Sequence, residues 1–367
     1  MEIKSKLISL PEADKTTSWL TDKASEQLEV SLLKDKIAKK VNHQYDQLTK
    51  ESKSLLDNYI NVHYRLEPLM EYIESNGIVL DIEQIPDIKE NILQKAKREE
   101  HRARLIQYFD SLEQKLNDTK RLHTHLSLIG TRTHRITSKQ FNIQGLPKAI
   151  QQIIVPSQFN KVFTIDFKAF EPSVVAYMTQ DQQLIKYLNH EEGLYDLLLK
   201  ELSIDKDKRK YVKRAFIGSF LFGGNFNSPK FKLNQYVSEV QWIDAVSQFT
   251  EVIKLKKSVD ANKSMHMPYG IEHDMSAFQG SSIMAIYVQT VASYIFKNVL
   301  LEVYKAQCKQ DNFRIIIPIH DAIMIECDGE DIAQSVEQLM INTANKLFNG
   351  DFAHTTVEVL GGASNEQ

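Results

Sequence analysis

Two aspartates are candidates for binding metal ions, because each follows a run of residues that favours a β-strand. Asp166 ends the run Lys161–Ile165, and Asp321 follows the run Phe313–Ile319 and His320. Hard divalent cations take oxygen ligands, and strand ends hold such ligands on rigid supports. A single aspartate at the end of a strand is more often a turn or cap residue, so the metal interpretation depends on the residues around it.

Basic residues form three clusters, at Lys95–Arg104, Lys206–Arg214 and Lys254–Lys257. Basic side chains four residues apart on a helix share one face, where they can neutralise phosphate charge. Taken alone, each cluster is better explained as a solvated helix face. The net charge of -3 argues against a protein that coats nucleic acid with its whole surface. It permits a local basic groove, because electrostatic attraction is short-ranged at physiological salt.

The segments that must position these residues differ in the spacing of their apolar residues along the sequence. Residues 15–75 and 84–128 carry apolar residues at helical spacing, separated at Asn76-Gly77, and the second segment predicts an antiparallel helical arm. The residues that mark this spacing are Val30, Leu33, Ile37 and Val41 in the first segment, and Leu105, Tyr108, Leu112 and Leu116 in the second.

Beyond residue 130 the pattern changes. A polar stretch leads to Pro147 and to the β run before Asp166, and helices dominate from there to about residue 305. A second β run reaches His320 and Asp321 and departs as Ala322–Glu326. The sequence therefore predicts a hairpin with a carboxylate at its turn.

Length and composition narrow the class of protein only broadly. The chain has 367 residues, 42% of them hydrophobic and 25% charged, which is ordinary for a folded globular protein of up to three domains. Its two cysteines, Cys308 and Cys327, have no partners at zinc spacing, which excludes a disulfide framework and a zinc module. Met1–Glu12 lacks the apolar segment of a signal peptide, and no apolar run reaches membrane-spanning length. We expect a cytoplasmic, intracellular protein without membrane contact.

The segment Thr131–Pro147 carries the longest motif in the chain. It reads Thr-Arg-Thr-His-Arg-Ile-Thr-Ser-Lys-Gln-Phe-Asn-Ile-Gln-Gly-Leu-Pro. It resembles the Thr-x-Thr-Gly-Arg-x-x-Ser-x-x-Pro-Asn-Leu-Gln-Asn-Ile-Pro stretch of family A DNA polymerases, the family of bacterial DNA polymerase I. The sequence departs from that stretch at His134, Phe141 and Gly145.

The resemblance implies that Arg135, Asn142 and Gln144 contact the minor groove of the newly made duplex. The physical argument agrees, because minor-groove acceptors are nearly the same on all base pairs. Donors placed there can test the geometry of a pair without reading its sequence.

Two further segments resemble the motifs that hold metal ions in this family. Phe163–Tyr177 is similar to motif A, which implies that Asp166 is a metal ligand and that Glu171 excludes the ribose 2′-hydroxyl. Pro172 suits a helix N-terminus that follows the strand.

Ile317–Glu326 is similar to motif C, which implies that Asp321 is the second metal ligand and that His320 lies near the terminal phosphate of the primer. Ala322 replaces a residue that is usually acidic in the family. Pro318 replaces a usual Gln and removes a hydrogen-bond donor from the strand.

The segment Arg209–Gly223 resembles the fingers helix of the family, with its Arg-x-x-x-Lys and its terminal Tyr-Gly. In a continuous helix, steps of four back from Phe222 reach Gly218 and Arg214. In a second register Arg209 and Lys213 align with the family pattern, and one extra residue is absorbed as a π-bulge near Gly218-Ser219. We favour the bulged register, which makes Lys213 the catalytic triphosphate contact. In that register Arg214 points elsewhere, whereas in the continuous helix Arg214 is the clamp. The candidate nucleotide-binding residues over both registers are Arg209, Lys213, Arg214, Phe222 and Glu171.

Two weaker similarities extend the resemblance to about residues 60–367. Gln279–Ser282 is similar to the opening of a palm helix, which implies a DNA contact for Gln279, and Leu66–Asp81 is similar to the helix before the thumb.

The resemblance implies an α+β fold of the right-hand polymerase type, with an antiparallel palm sheet, helical fingers and a short helical thumb. The expected divisions are an N-terminal helical extension at 1–60, a pre-thumb helix and reduced thumb at 61–130, palm at 131–180, fingers at 181–265 and palm again at 266–367.

The expected cofactor is a pair of Mg²⁺ ions, for which Mn²⁺ can substitute, and the expected partners are primer-template DNA and deoxynucleoside triphosphates. About sixty residues precede the resemblance, fewer than the roughly 100 to 150 of a typical catalytic domain, so we expect no proofreading exonuclease. The stretch from Gly77 to Thr131 is short for a thumb, which predicts a weak grip on duplex or a processivity or replication partner protein.

Two other functions are compatible with parts of the sequence. A catalytically weak polymerase-like protein that binds primer-template or a replisome partner fits the short thumb and the altered fingers helix. A carboxylate-metal nuclease of another fold would keep Asp166 and Asp321. It has no need of Arg135, Asn142, Gln144 or Glu171. Primer extension compared with substrate degradation in magnesium separates the three.

Overall fold

The computed structural model describes residues 59–96, 98–116, 120–261, 264–266, 272–274 and 282–360, together with Lys39. The predicted combination of helices with an antiparallel sheet is confirmed. The chain divides into two compact units. The first unit comprises Met1–Asp166, Lys297–Met340 and Thr355–Gln367, and the second comprises Phe167–Phe296 and Ile341–His354.

The helices and strands of the described residues are as follows. The α-helices are α1 (Tyr64–Asn76), α2 (Ile85–Lys95), α3 (Glu99–Lys115), α4 (Lys148–Gln151), α5 (Phe170–Thr179), α6 (Gln182–Leu188), α7 (Leu194–Glu201), α8 (Arg209–Ala215), α9 (Glu239–Ser247), α10 (Thr250–Ala261), α11 (Ser282–Gln310) and α12 (Glu330–Phe348). The strands are β1 (Ile78–Leu80), β2 (Arg121–Leu122), β3 (His125–Ser127), β4 (Thr137–Lys139), β5 (Ile154–Val155), β6 (Lys161–Lys168), β7 (Ser264–His266), β8 (Glu272–Asp274), β9 (Phe313–Ile319), β10 (Ala322–Cys327) and β11 (His354–Leu360). Tyr59–His63 and Phe216–Leu221 are π-helical, and the 3₁₀ turns are Ile82–Gln84, Ile143–Gly145, Lys206–Lys208 and Leu233–Gln235.

The main sheet has the strand order β11-β6-β10-β9. Every residue of the interior strand β10 is buried, which explains its continuous apolar sequence. Strand β6 alternates instead, with Ile165 and Phe167 buried and Asp166 and Lys168 exposed, as expected for side chains that point to opposite faces. The strand continues to Lys168, so the prediction that it ends at Asp166 was wrong by two residues.

Pro318 lies in β9, which is an edge strand of the sheet. It pairs with Ile323 of β10, and the register shifts between Met324 and Ile325. A proline is tolerated at an edge because only one side of the strand needs its hydrogen bonds. The departure from the family pattern at this position is therefore compatible with the predicted hairpin.

The predicted helical arm is present as α2 and α3. Lys89 of α2 forms ion pairs with Asp110 and Glu113 of α3, at 3.2 and 3.1 Å. The prediction was wrong beyond residue 115, because β2 follows α3 and Leu122 pairs with Ile78 in an antiparallel register. Pairing with a distant strand outweighs local helical periodicity there.

Gly77 ends α1 with a φ of 62°, which confirms the break at Asn76-Gly77. A side chain at Gly77 would approach the backbone of Leu122 to 2.9 Å, so the turn requires glycine. The helical spacing predicted from Val30, Leu33, Ile37 and Val41 lies outside the described residues.

A buried ionisable cluster lies in the core of the first unit. Lys297 of α11 is 1% exposed, and its Nζ lies 2.9 Å from Nε2 of His63. Burial lowers the pKa of Lys297 to about 7, and the nearby charge of Glu67 opposes this shift. Burial also lowers the pKa of His63, and the positive charges of Lys297 and His134 act in the same direction. Because these groups change protonation on folding, the stability of the fold depends on pH.

One helix among the described residues, Ile283–Gln310, is long and apolar enough to cross a membrane, although the sequence analysis predicted no such run. In its most apolar window, 72% is buried within the fold. That burial is typical of a core helix, whose apolar surface is covered by protein.

Candidate active site

Asp166 and Asp321 lie at the same end of two neighbouring strands in the first unit. Asp166 of β6 pairs with Ala322 of β10, and Asp321 immediately precedes Ala322. Antiparallel partners have Cα atoms about 4.5 to 5.5 Å apart, so the register brings the backbones of the two aspartates close together. The paired strands anchor both backbones.

The predicted hairpin is confirmed, with His320 and Asp321 as its two-residue turn between β9 and β10. His320 adopts a φ of 55°, a conformation in which histidine is more frequent than most residues. His320 and Asp166 are exposed and Asp321 is half-buried. All three side chains therefore have access to solvent.

The donor set of this end of the sheet suits Mg²⁺. Magnesium is usually bound through one or two carboxylates, with waters and substrate phosphates completing an octahedron. Asp166 and Asp321 supply two carboxylates on rigid strands. Within the described residues no group of three or more His, Cys, Asp or Glu side chains could hold a metal.

The polar loop before the sheet holds its shape by internal hydrogen bonds. His134, which stands where the family pattern has glycine, has a φ of 53°, so it adopts the left-handed conformation that glycine favours. The backbone N–H of Arg135 donates to the hydroxyl of Thr131 at 3.0 Å. Phe141, which replaces a proline of the pattern, is buried and packs against Tyr108 at 5.5 Å between ring centroids.

Asn142 and Gln144 make different contacts within this loop. Oδ1 of Asn142 accepts hydrogen bonds from the N–H of Gly145 and the hydroxyl of Ser138, both at 3.1 Å. Gln144 is buried, and its Nε2 donates to the carbonyl of Pro318 at 3.2 Å. Gln144 thus links the loop to the strand that leads into the His320-Asp321 turn. The DNA contacts of Arg135, Asn142 and Gln144 stay predictions.

Glu171 lies in the second unit, at the second position of α5. Ala169 precedes the helix with a φ of 49°, and its carbonyl accepts a hydrogen bond from the hydroxyl of Ser173. Behind the helix, Phe170 stacks on Phe167 at 4.7 Å between centroids. These contacts hold the backbone at Glu171 in place, and its side chain is half-buried.

The π-bulge predicted in the fingers helix is confirmed. Phe216–Leu221 is π-helical, and the N–H of Phe222 donates to the carbonyl of Ile217, five residues earlier, at 3.0 Å. A side chain at Gly218 would approach the ring of Phe231 to 2.4 Å, so the packing of that ring depends on glycine. The backbone therefore has the bulged register, in which Phe222 follows Ile217 on one face.

Arg209 and Lys213 occupy one face of α8 above the ring of Tyr195. The guanidinium carbon of Arg209 lies 5.3 Å and the Nζ of Lys213 lies 5.9 Å from the ring centroid. Arg209 also forms an ion pair with Asp196 at 2.8 Å. Both cations are exposed. Sequence reasoning missed Tyr195 and Asp196, because only the fold brings α7 against α8.

The remaining predicted site residues have these positions. Arg214 is exposed on α8, next to Lys213 in the sequence but about 100° around the helix. Phe222 is half-buried at the end of the π-helix. Gln279 lies outside the described residues.

Comparison with known proteins adds an independent observation. The sequence profile of DNA polymerase family A matches residues 20–251, a stretch that ends before the His320-Asp321 turn. DNA polymerase I of Borreliella burgdorferi is 22% identical over 278 residues, covering 65% of this chain and 30% of the relative. DNA polymerase I of Bacillus subtilis is 22% identical over 245 residues, covering 59% of this chain and 28% of the relative.

A solved structure shares the fold. The polymerase domain of Pol1 from M. smegmatis, in complex with DNA primer-template and dNTP, superposes with a TM-score of 0.60 at 19% identity, over 71% of this chain and 51% of that one. The chain thus spans about half of the solved domain and less than a third of the two curated relatives.

Proposed function

This chain belongs to DNA polymerase family A, and from that premise we propose that it is a template-directed DNA polymerase that extends a primer 3′-hydroxyl with deoxynucleoside triphosphates. The observation that carries the proposal is the register of β6 and β10, which brings Asp166 and Asp321 to one end of the sheet. Two Mg²⁺ ions bound there would activate the hydroxyl and stabilise the leaving pyrophosphate. Mn²⁺ is a suitable substitute, because it also prefers oxygen ligands.

The other residues of the proposal bind and orient the substrates. Lys213 and Arg209 neutralise the triphosphate, since both cations are exposed on one face of α8. Phe222 contacts the nucleobase, and Glu171 excludes a ribose 2′-hydroxyl. His320 contacts the terminal phosphate of the primer.

We also propose the division of the chain given by the resemblance, with palm at 131–180 and 266–367, fingers at 181–265 and a reduced thumb within 61–130. The short helices α2 and α3, of 11 and 17 residues, support a small thumb. A small thumb has little surface for the duplex, so extension of long templates would need a partner protein. The proposal includes no proofreading by this chain.

The two aspartates provide the test. Asp166→Asn and Asp321→Asn should each abolish primer extension in magnesium, because the amide weakens a metal ligand without removing a core contact. Both lie at one site, so the double variant should lose no more than the singles. Asp351→Asn, a change at another exposed carboxylate, is the matched control and should extend normally.

Extension, DNA binding and degradation are measured on the same labelled primer-template. Retention of extension within about tenfold of the parent in either single variant would contradict the metal assignment. Binding without extension by the parent chain would favour the catalytically weak alternative. Degradation without extension would favour a nuclease.

A further inference from the structure

Four side chains of the second unit form a column of two stacked rings with a cation against each ring. Tyr211 of α8 stacks on Tyr236, with centroids 5.8 Å apart and an interplanar angle of 15°. Nζ of Lys210 lies 5.1 Å from the centroid of Tyr211, and Nζ of Lys208 lies 4.9 Å from that of Tyr236. We call this column the Tyr211–Tyr236 stack. Tyr236 is 43% exposed, which is high for a large aromatic residue.

The stack lies away from the face of α8 assigned to the triphosphate. Tyr211 is two residues from both Arg209 and Lys213, so it points about 160° to 200° around the helix from them. Arg209 and Lys213 lie over Tyr195 instead. The proposed catalytic function therefore leaves the stack without a role.

The surroundings of the stack carry an excess of positive charge. Lys208 forms an ion pair with Asp207, and the other acidic residues near the stack in the sequence are Asp205 and Glu239. The exposed lysines are more numerous. They are Lys210 within the stack, Lys206 just before it in the sequence, and Lys230 and Lys232 in the loop that leads to Tyr236. Planar rings with ammonium groups around them complement both parts of a nucleotide, its base and its phosphate.

We propose that the Tyr211–Tyr236 stack binds single-stranded DNA. A base stacks on the face of Tyr236 that Lys208 covers, and the displaced ammonium then contacts a phosphate. An unpaired strand fits better than a duplex, because only unpaired bases expose their faces to an aromatic ring. The inference rests on the proposed function in one respect, the identity of the strand as template. Binding itself needs neither metal nor nucleotide.

The experiment measures the affinity of the full chain for a fluorescent oligo(dT) by anisotropy, without divalent metal or nucleotide. Tyr236→Ala should weaken binding about five- to tenfold, because it removes a stacking platform. Tyr236→Phe, the matched control, keeps the ring and should bind within about twofold of the parent. Lys208→Ala should lower the salt dependence, with the slope of log K against log salt reduced by about 0.7.

A further variant separates a binding role from a packing role. Tyr236 could serve only to hold its loop against α8, and Tyr236→Leu retains apolar bulk there while removing the planar ring. If the stack binds bases, Tyr236→Leu weakens binding as Tyr236→Ala does. Recovery of parental affinity in Tyr236→Leu would overturn the proposal, as would unchanged affinity in Tyr236→Ala.

The location and the type of strand are tested directly. An oligonucleotide carrying 5-bromodeoxyuridine should crosslink to peptides within residues 206–236, and crosslinks confined to other segments would overturn the proposal. An equal loss of affinity for duplex and single strand in Tyr236→Ala would show that the ring does not act on unpaired bases, and would overturn the proposal too. Extension of a primer with one unpaired template nucleotide should be unchanged in Tyr236→Ala. A defect of catalysis is thus distinguishable from a defect of strand binding.

Discussion

Glu171 is the residue whose chemistry is most sharply testable, because its backbone is fixed on both sides. Ala169 turns the chain in a left-handed conformation before α5, and Phe170 stacks on Phe167 behind it. Removing the carboxylate leaves these contacts in place. A change at Glu171 should therefore affect substrate choice and not folding.

We expect Glu171→Ala to relax the exclusion of ribonucleotides, because the side chain is proposed to fill the space of a 2′-hydroxyl. The loss should be at least about tenfold in the ratio of deoxyribonucleotide to ribonucleotide incorporation, the range of one lost contact of a few kcal/mol. Glu171→Gln preserves the volume and is the control, which should stay close to the parent. An unchanged ratio in Glu171→Ala would contradict the motif A assignment beyond Asp166.

At the scale of elements, the fingers helix makes a specific prediction about two adjacent cations. The π-helical segment Phe216–Leu221 confirms the bulged register, in which Arg209 and Lys213 share a face. Lys213→Ala should reduce the nucleotide-incorporation rate by about a hundredfold or more, because it removes charge from the triphosphate contact. Arg214→Ala, the matched neighbour, should have a much smaller effect. Single-turnover kinetics measure both rates. A larger loss of rate in Arg214→Ala than in Lys213→Ala would contradict the assignment.

The core helix α11 makes a prediction about pH. Burial lowers the pKa of Lys297 to about 7 from its ordinary 10.5, so between these values the unfolded chain binds a proton that the folded chain does not. Stability therefore rises with pH from about 7 upward and is lost as pH falls back through that window. The lowered pKa of His63 extends the same trend below its ordinary 6.5.

We expect Lys297→Met to flatten this dependence. Between pH 7 and 9 the parent should gain about 1 to 2 kcal/mol more unfolding free energy than the variant, within the limit of about 1.4 kcal/mol per pH unit for one proton. Lys309→Met changes an exposed lysine of the same helix and is the control. Urea denaturation at the two pH values measures the difference, and parallel curves for parent and Lys297→Met would contradict the prediction.

The sequence predicted elements well where the pattern is local. The hairpin around His320 and Asp321 was predictable because two apolar runs bracket a polar pair, and the π-bulge because the family spacing leaves one residue over. The strand at Arg121–Leu122 was not predictable, since it depends on pairing with β1. The contacts of Tyr195 and the Tyr211–Tyr236 stack join residues far apart in the chain, so no local spacing indicates them.

At the scale of the whole molecule, the chain alone should neither trim DNA nor extend it far. The proposed function includes no proofreading by this chain. A mismatched 3′-terminal nucleotide should therefore persist in magnesium.

With excess trap DNA, products per binding event should be short because α2 and α3 are short.

Gel analysis of the labelled primer measures both properties. Trimming activity that copurifies with the protein through successive columns, and so does not come from a contaminant, would contradict the first expectation. Long products from single binding events would contradict the second.

Pro318 has a consequence beyond the polymerase reaction. An exposed edge strand is a template onto which a strand of another molecule can add, and such addition begins aggregation. Pro318 has no N–H, and its carbonyl accepts the hydrogen bond from Gln144. At this position the edge of the sheet has no N–H to offer an incoming strand, and its carbonyl is already occupied. Because β9 is also buried except at Ile316, the covered edge and Pro318 together disfavour the addition of a strand from another molecule.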